Sequence, residues 1–317
     1  MSVVCSCEVS FLNTGLPNCI PAYRVWKKLI IVPLTANDGT KNKILSSDTL
    51  NAAFFNGKIN QTDSSKRWYP LPKMKNVEST KADSILESFA DQSQLFVAEG
   101  VRGFTGQLVN QSATFAGQLK AARCTDFGFY AIDGNGSLYG YTNNETGVIY
   151  PIPVDKNTWN PIWTLPTDTT VEKVTLNFQF DATLQDEYIG QIVSSDITGI
   201  NLLDVNGLID IFSEVVSCST TQLVVKMYNR YGSAFNKNPM EGLVIGDFYS
   251  AVGGTAQRLY NVTDSAMVTI SSVTESPAGT YTFAYASGVA SGEVLRVTPV
   301  KTGFDYTSVI ATTATAA

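Results

Sequence analysis

The chain has 317 residues, 44% of them hydrophobic and 16% charged, so it can build real cores while its surface is unusually neutral beside the ~25% charge of an average protein. A net charge of −6 speaks against general nucleic-acid binding through phosphate neutralisation, and the lack of any histidine removes the commonest general base and zinc ligand. No segment approaches the ~20 apolar residues of a membrane-spanning helix, and the N-terminus has no basic run followed by an apolar one, so a soluble protein with reduced thiols is expected.

The chain opens with Cys5, Cys7 and Cys19, followed only by Cys124 and Cys218. Small buried thiols, a structural metal site and disulfides are all open readings. Cys-x-Cys is tighter than the usual zinc spacing and no histidine completes a set, so buried thiols in a pinned N-terminal arm are preferred. YRVWKKLIIVPL (23–34) reads as a strand with Val25, Leu29 and Ile31 on one face. Residues 35–85 are polar and irregular, with NDGT, FNGK and YPLPK, and are expected to form a long loop. Ten Lys/Arg and only three acids fall between Arg24 and Lys75, and Asp83, Glu87, Asp91 and Glu99 follow; such stretches either pair across a subunit boundary or are two solvated faces.

DSILESFADQS (83–93) fits one or two helical turns, grouping Ile85, Leu86 and Phe89. Strands are expected at 95–109 and 113–122. FGFYAIDGNGSLYGY (127–141) fits a hairpin about an Asn-Gly turn. VEKVTLNFQFDA (171–182) is a strand with Leu176, Phe178 and Phe180 on one face. In LQDEYIGQIVSSD the apolar residues Leu184, Tyr188, Ile189, Ile192 and Val193 recur at helical spacing, which predicts an amphipathic helix over 184–196. Beyond Gly199, seven short alternating strands in roughly 100 residues suggest an immunoglobulin-like sandwich without the Cys…Trp…Cys core. The expected organisation is therefore mainly β: a β-sandwich or barrel domain with one or two packed helices (1–199), then an Ig-like β-sandwich (200–317).

Candidate chemistry is sparse. Asp133-Gly-Asn-Gly-Ser resembles part of a calcium loop but lacks its further acids, so a turn is the better account. Gly100–Gly106 has no Lys-Ser/Thr ending; close backbone approach explains its glycines. Asp186 and Glu187 suit a solvated helix face. Trp26, Trp68, Tyr69, Trp159 and Trp163 suit core or interface anchors better than a sugar site. No catalytic, cofactor-binding or metal-binding residue is assigned, and an enzyme is not expected.

YRVWKKLIIVPLTANDG, RGFTGQL, FGFYAIDGNGSLYGY and VEKVTLNFQFDATLQDEYIGQI together resemble the major tail-tube protein of a long-tailed bacteriophage. EGLVIGDF, VTISSVTESPAGTYTFAY and GEVLRVTP resemble the Ig-like domains that many phage virion proteins carry. The resemblance implies a virion structural protein assembled in the host bacterial cytoplasm, with itself and other tail proteins as partners. It implies stacked, usually hexameric rings whose sheets join around a channel that passes DNA at ejection without specific binding. Residues 35–80 would be the inter-ring loop, and 95–109, 113–122 and 171–181 the lumen-forming strands, with an acidic wall over which DNA slides. The alternatives are a capsid decoration or head-fibre protein and a carbohydrate-binding adhesin.

Overall fold

The computed structural model describes residues 23–232, 235–249, 258–286, 289–299, 301, 303–306 and 309–313. Cys5, Cys7 and Cys19, and the N-terminal arm expected from them, lie outside this set. The chain is mainly β, with two α-helices among the described residues, and it forms two compact units that part between Gly207 and Leu208, where a boundary after residue 199 was expected.

In chain order the first unit runs β1 (Trp26–Pro33), β2 (Ile44–Leu45), α1 (Ala52–Ile59), β3 (Tyr69–Pro70), β4 (Met74–Lys81), β5 (Ile85–Ser88), β6 (Gln94–Ala98) and β7 (Arg102–Val109). It continues with α2 (Ala113–Ala121), β8 (Phe127–Asp133), β9 (Leu138–Tyr141), β10 (Val148–Ile149), β11 (Ile152–Pro153), β12 (Asn160–Thr164), β13 (Lys173–Gln179) and β14 (Ile189–Ile192). The central sheet has the order β14-β9-β8-β1-β3, with β11 also on β8. Leu29, Ile30, Ile31 and Val32 of β1, and all of β8, are buried, as expected for strands covered on both faces. A second sheet, β12-β13-β7-β4, packs Phe104, Leu108, Val174, Leu176 and Phe178 against Phe129 and Trp26. On the other side of the central sheet Trp68 lies 4.9 Å from Tyr130 and packs edge-on against Phe54 and Phe55 of α1.

That third layer corrects the expected loop at 35–85. Asn51 caps α1 by accepting from the Phe54 backbone N–H, and Phe55, Ile59, Trp68 and Leu71 are buried, so much of the segment is core. Three further expectations fail. Residues 113–121 form α2, capped by Ser112, rather than a strand; Ala116 and Leu119 are its buried stripe. Residues 83–93 are not helical: Ile85–Ser88 pairs antiparallel with Gln94–Ala98. The helix expected over 184–196 is instead a single turn at Asp186–Tyr188, strand β14 paired to β9, and a second turn at Ser194–Asp196.

The hairpin at 127–141 forms as expected, with Gly136 at φ +86°, a conformation that glycine takes without strain. β13 buries Val174, Leu176 and Phe178 in strict alternation.

The second unit comprises β15 (Ile209–Cys218), β16 (Gln222–Asn229), β17 (Asn238–Pro239), β18 (Phe248–Tyr249), β19 (Arg258–Asn261), β20 (Ala266–Glu275), β21 (Thr280–Tyr285), β22 (Val294–Pro299), β23 (Phe304–Tyr306) and β24 (Val309–Thr312). They make one curled sheet of order β18-β22-β19-β20-β21-β16-β15-β23, with β17 on β16 and β24 on β22. Among the described residues every pairing is antiparallel except β15 with β23. Its own core gathers Leu223, Val225, Met227, Ile270, Tyr281, Phe283, Leu295 and Val297.

Candidate interaction surface

The side chains singled out for chemistry serve the fold. Asp133 is buried and accepts from the backbone N–H groups of Asn135 and Ser137 and from the Tyr139 hydroxyl, which leaves it spent on the turn. Trp159 is only 1% exposed and donates its indole N–H to the Leu119 carbonyl at 2.7 Å; Trp68 is equally buried. Trp26 is half-buried in a ring cluster with Phe104, Phe129, Tyr139 and Phe180. Trp163 donates to Glu172, and Tyr69 donates to the Ser64 carbonyl. Cys124 is exposed and Cys218 half-buried, both as free thiols. Among the described residues no group of three or more Cys, Asp or Glu side chains is placed to hold a metal ion. Among them, too, no helix is long and apolar enough to cross a membrane.

Asp186 departs from its expected solvated place. Arg102 grips its carboxylate through Nε and a second nitrogen at 2.9 Å, and Lys81 reaches the same carboxylate at 2.9 Å and also Glu99. The Arg102 hydrogen bonds hold the Asp186 carboxyl below its ordinary range, against the opposing effect of burial, with Lys81 adding a smaller lowering. The four groups encircle a pocket of about 20 Å³, room for a water molecule and no substrate. Gly100 lies in its wall because a Cβ there would stand 1.8 Å from the Ala82 carbonyl oxygen.

From this base the β5–β6 hairpin leaves the sheet. The Ala82 N–H still bonds the Val101 carbonyl, so the hairpin continues the β4–β7 ladder beyond the body. At its tip Asp91 accepts from the Ser93 amide and hydroxyl, and the Phe89 and Ser93 backbones pair. Ile85, Leu86, Phe89, Leu95, Phe96 and Val97 are each between 47 and 58% exposed. The cross-strand pairs Leu86–Phe96 and Glu87–Leu95 put apolar groups on opposite faces of the ribbon. Two strands with both faces wet are marginal by themselves, and exposed apolar surface of this kind marks an interaction site.

The β12-β13-β7-β4 sheet supplies a second surface. Its outward face, opposite the core, carries Thr105 and Gln107 of β7, Thr175 and Asn177 of β13, and Asn160 and Ile162 of β12. The formal charges on that face are Lys75 and Glu78 of β4 and Lys173 of β13, so it is nearly neutral. The sheet's two edges are guarded. β4 is bulged between Lys75 and Glu78, with Asn76 at φ +48°. β12 contains Pro161, and Arg123 donates to the Trp159 carbonyl and the Asn160 side chain at its start.

A third feature is cationic. Lys41 and Lys43 stand 5.8 and 6.0 Å from the Tyr150 ring centroid, and the Tyr150 hydroxyl donates to Glu145. Two of the ten cations of residues 24–75 are ion-paired: Lys66 with Asp38 and Lys73 with Asp204. Lys28 is buried against the carbonyls of Leu203 and Val205. Lys41 and Lys43 share one site, the Tyr150 ring. No family model matches the chain, and no curated protein matches it.

Proposed function

We propose that the chain is a virion structural protein, a subunit of the stacked rings of a phage tail tube through which DNA passes at ejection. The observation that carries this reading is the four-stranded sheet β12-β13-β7-β4, apolar toward the core and Thr/Asn/Gln-rich outward, with a hairpin projecting from the turn between two of its strands. Copies set side by side bring such sheets together around a channel, with the outward face lining it and the guarded edges meeting through side chains and not by strand addition. The expected lining changes with the residues: α2 is removed from it, and the lining strands are β4, β7, β12 and β13.

DNA slides over such a wall because the face holds no cluster of cations to bind phosphates. Sliding is thus ascribed to neutrality and not to an acidic wall. The stacking role passes from 35–80, much of which is core, to the hairpin. The second unit, with a separate core, is the appended Ig-like module on this reading. No catalysis is assigned. The adhesin alternative loses Trp159 and Trp68 to the core.

Negative-stain microscopy of the purified chain at high concentration tests the reading. Rings or tubes with a central hole about as wide as duplex DNA are expected. A chain that stays monomeric and decorates capsids would sink it in favour of a decoration protein.

A further inference from the structure

The hairpin and the cationic patch have complementary chemistry, and the partner suited to both is another copy of the chain. Between Ala82 and Gly100 there are four acids, Asp83, Glu87, Asp91 and Glu99, and no Lys or Arg. Glu99 is already paired with Lys81, and Asp91 holds the tip turn, which leaves Asp83 and Glu87 beside the exposed Ile85, Leu86, Leu95, Phe96 and Val97. A surface that receives this ribbon needs cations next to an aromatic or apolar floor. Lys41 and Lys43 around Tyr150 offer that, with Glu145 accepting from the Tyr150 hydroxyl.

We propose that the hairpin of one copy docks on the Lys41–Lys43–Tyr150 face of a second copy. The inference rests on the self-assembling reading above and names the two surfaces that meet. Hairpin and patch are different parts of the molecule, so the contact is heterologous: each copy offers one hairpin and one patch, and each can engage a different neighbour. Repeated from copy to copy in the stacked-ring reading, such contacts extend the assembly. It also places the apolar ribbon, which has no cover in the single chain, against a floor with matching charge.

Charge exchange tests it. One variant carries Asp83→Lys and Glu87→Lys, the other Lys41→Glu and Lys43→Glu; Asp91 is kept because it holds the turn. Each variant alone sets like charges against each other and is expected to lose end-to-end growth by sedimentation and microscopy, with the wild-type circular dichroism retained. Mixed one to one, each hairpin again meets a patch of opposite sign, and growth is expected to return. If the wild type grows and the two variants grow as well, or if the mixture does not recover, the docking is overturned while the tube reading stands. A wild type that never assembles overturns both.

Discussion

Lys28 has no exposed surface, yet its ammonium donates to the Leu203 carbonyl at 3.0 Å and to that of Val205, tying β1 to the last turn before the second unit. Burial lowers its pKa from 10.5 to about 8, Lys73 pushes the same way and Asp204 opposes. The native chain therefore sheds this proton before the unfolded chain does, so Lys28's contribution to stability rises with pH between about 8 and 10.5. Urea midpoints should show the wild type gaining on Lys28→Met from pH 7 to pH 10; a constant gap would contradict the assignment. Asp186 has a dependence of the same sign in an acidic window. Its pKa lies below the ordinary 3.8, so its contribution is present above that pH and is lost as the pH falls further. Asp186→Asn should cost about 1 kcal/mol at pH 7, a modest figure because the pair is partly solvated, and less at pH 3. Trp159→Ala should cost about 3–5 kcal/mol in thermal unfolding, as expected for a large core side chain, and that penalty is why the residue is a poor probe of sugar binding. Of these side chains the sequence revealed only residue type. Neither the burial of Lys28 nor the partner of Asp186 is a local property, since each is set by chain 84 or more positions away.

Elements were legible where a local signal and the tertiary demand coincided. The Asn135-Gly136 turn and the alternation of β13 carry their own geometry, and both formed as expected. Misreadings arose where apolar spacing was real but its cause lay elsewhere. Leu184, Tyr188, Ile189 and Ile192 fall at helical intervals, yet Ile189 to Ile192 is held extended by pairing with Tyr141 to Leu138. Ile85, Leu86 and Phe89 group like a helix stripe but have no core to face, and cross-strand pairing with 94–98 is what satisfies their backbone. In 113–121 the Ser112 cap was present in the sequence and was missed. The exposed hairpin was hidden for the same reason: exposure of its apolar residues is visible only once the body is built. Because it contributes nothing to the core cluster, replacing 83–99 with a short Gly-Ser turn should leave the melting temperature within about 2 °C of the wild type while abolishing growth. A large fall in melting temperature would show that the ribbon is part of the fold.

At the scale of the molecule, two hydrophobic cores with no shared member stand on either side of Gly207. A fragment starting at Val205 should therefore fold alone and unfold in one cooperative transition; a dispersed spectrum lost in that fragment would refute the independence of the second unit. The change in texture near residue 200 was readable because short alternating strands replace longer mixed segments, while the curl of the ten-stranded sheet and its one parallel pairing depend on contacts across the whole unit. The hairpin has one more consequence. It grows from the connection between β4 and β7, neighbours whose register is already fixed below Ala82 and Gly100. Residues inserted or removed in matched pairs at its tip leave that register, and the core behind it, untouched. Each added pair lengthens the projection by about 3.3 Å. The molecule thus carries a ruler whose length can be reset in steps without disturbing the body that holds it.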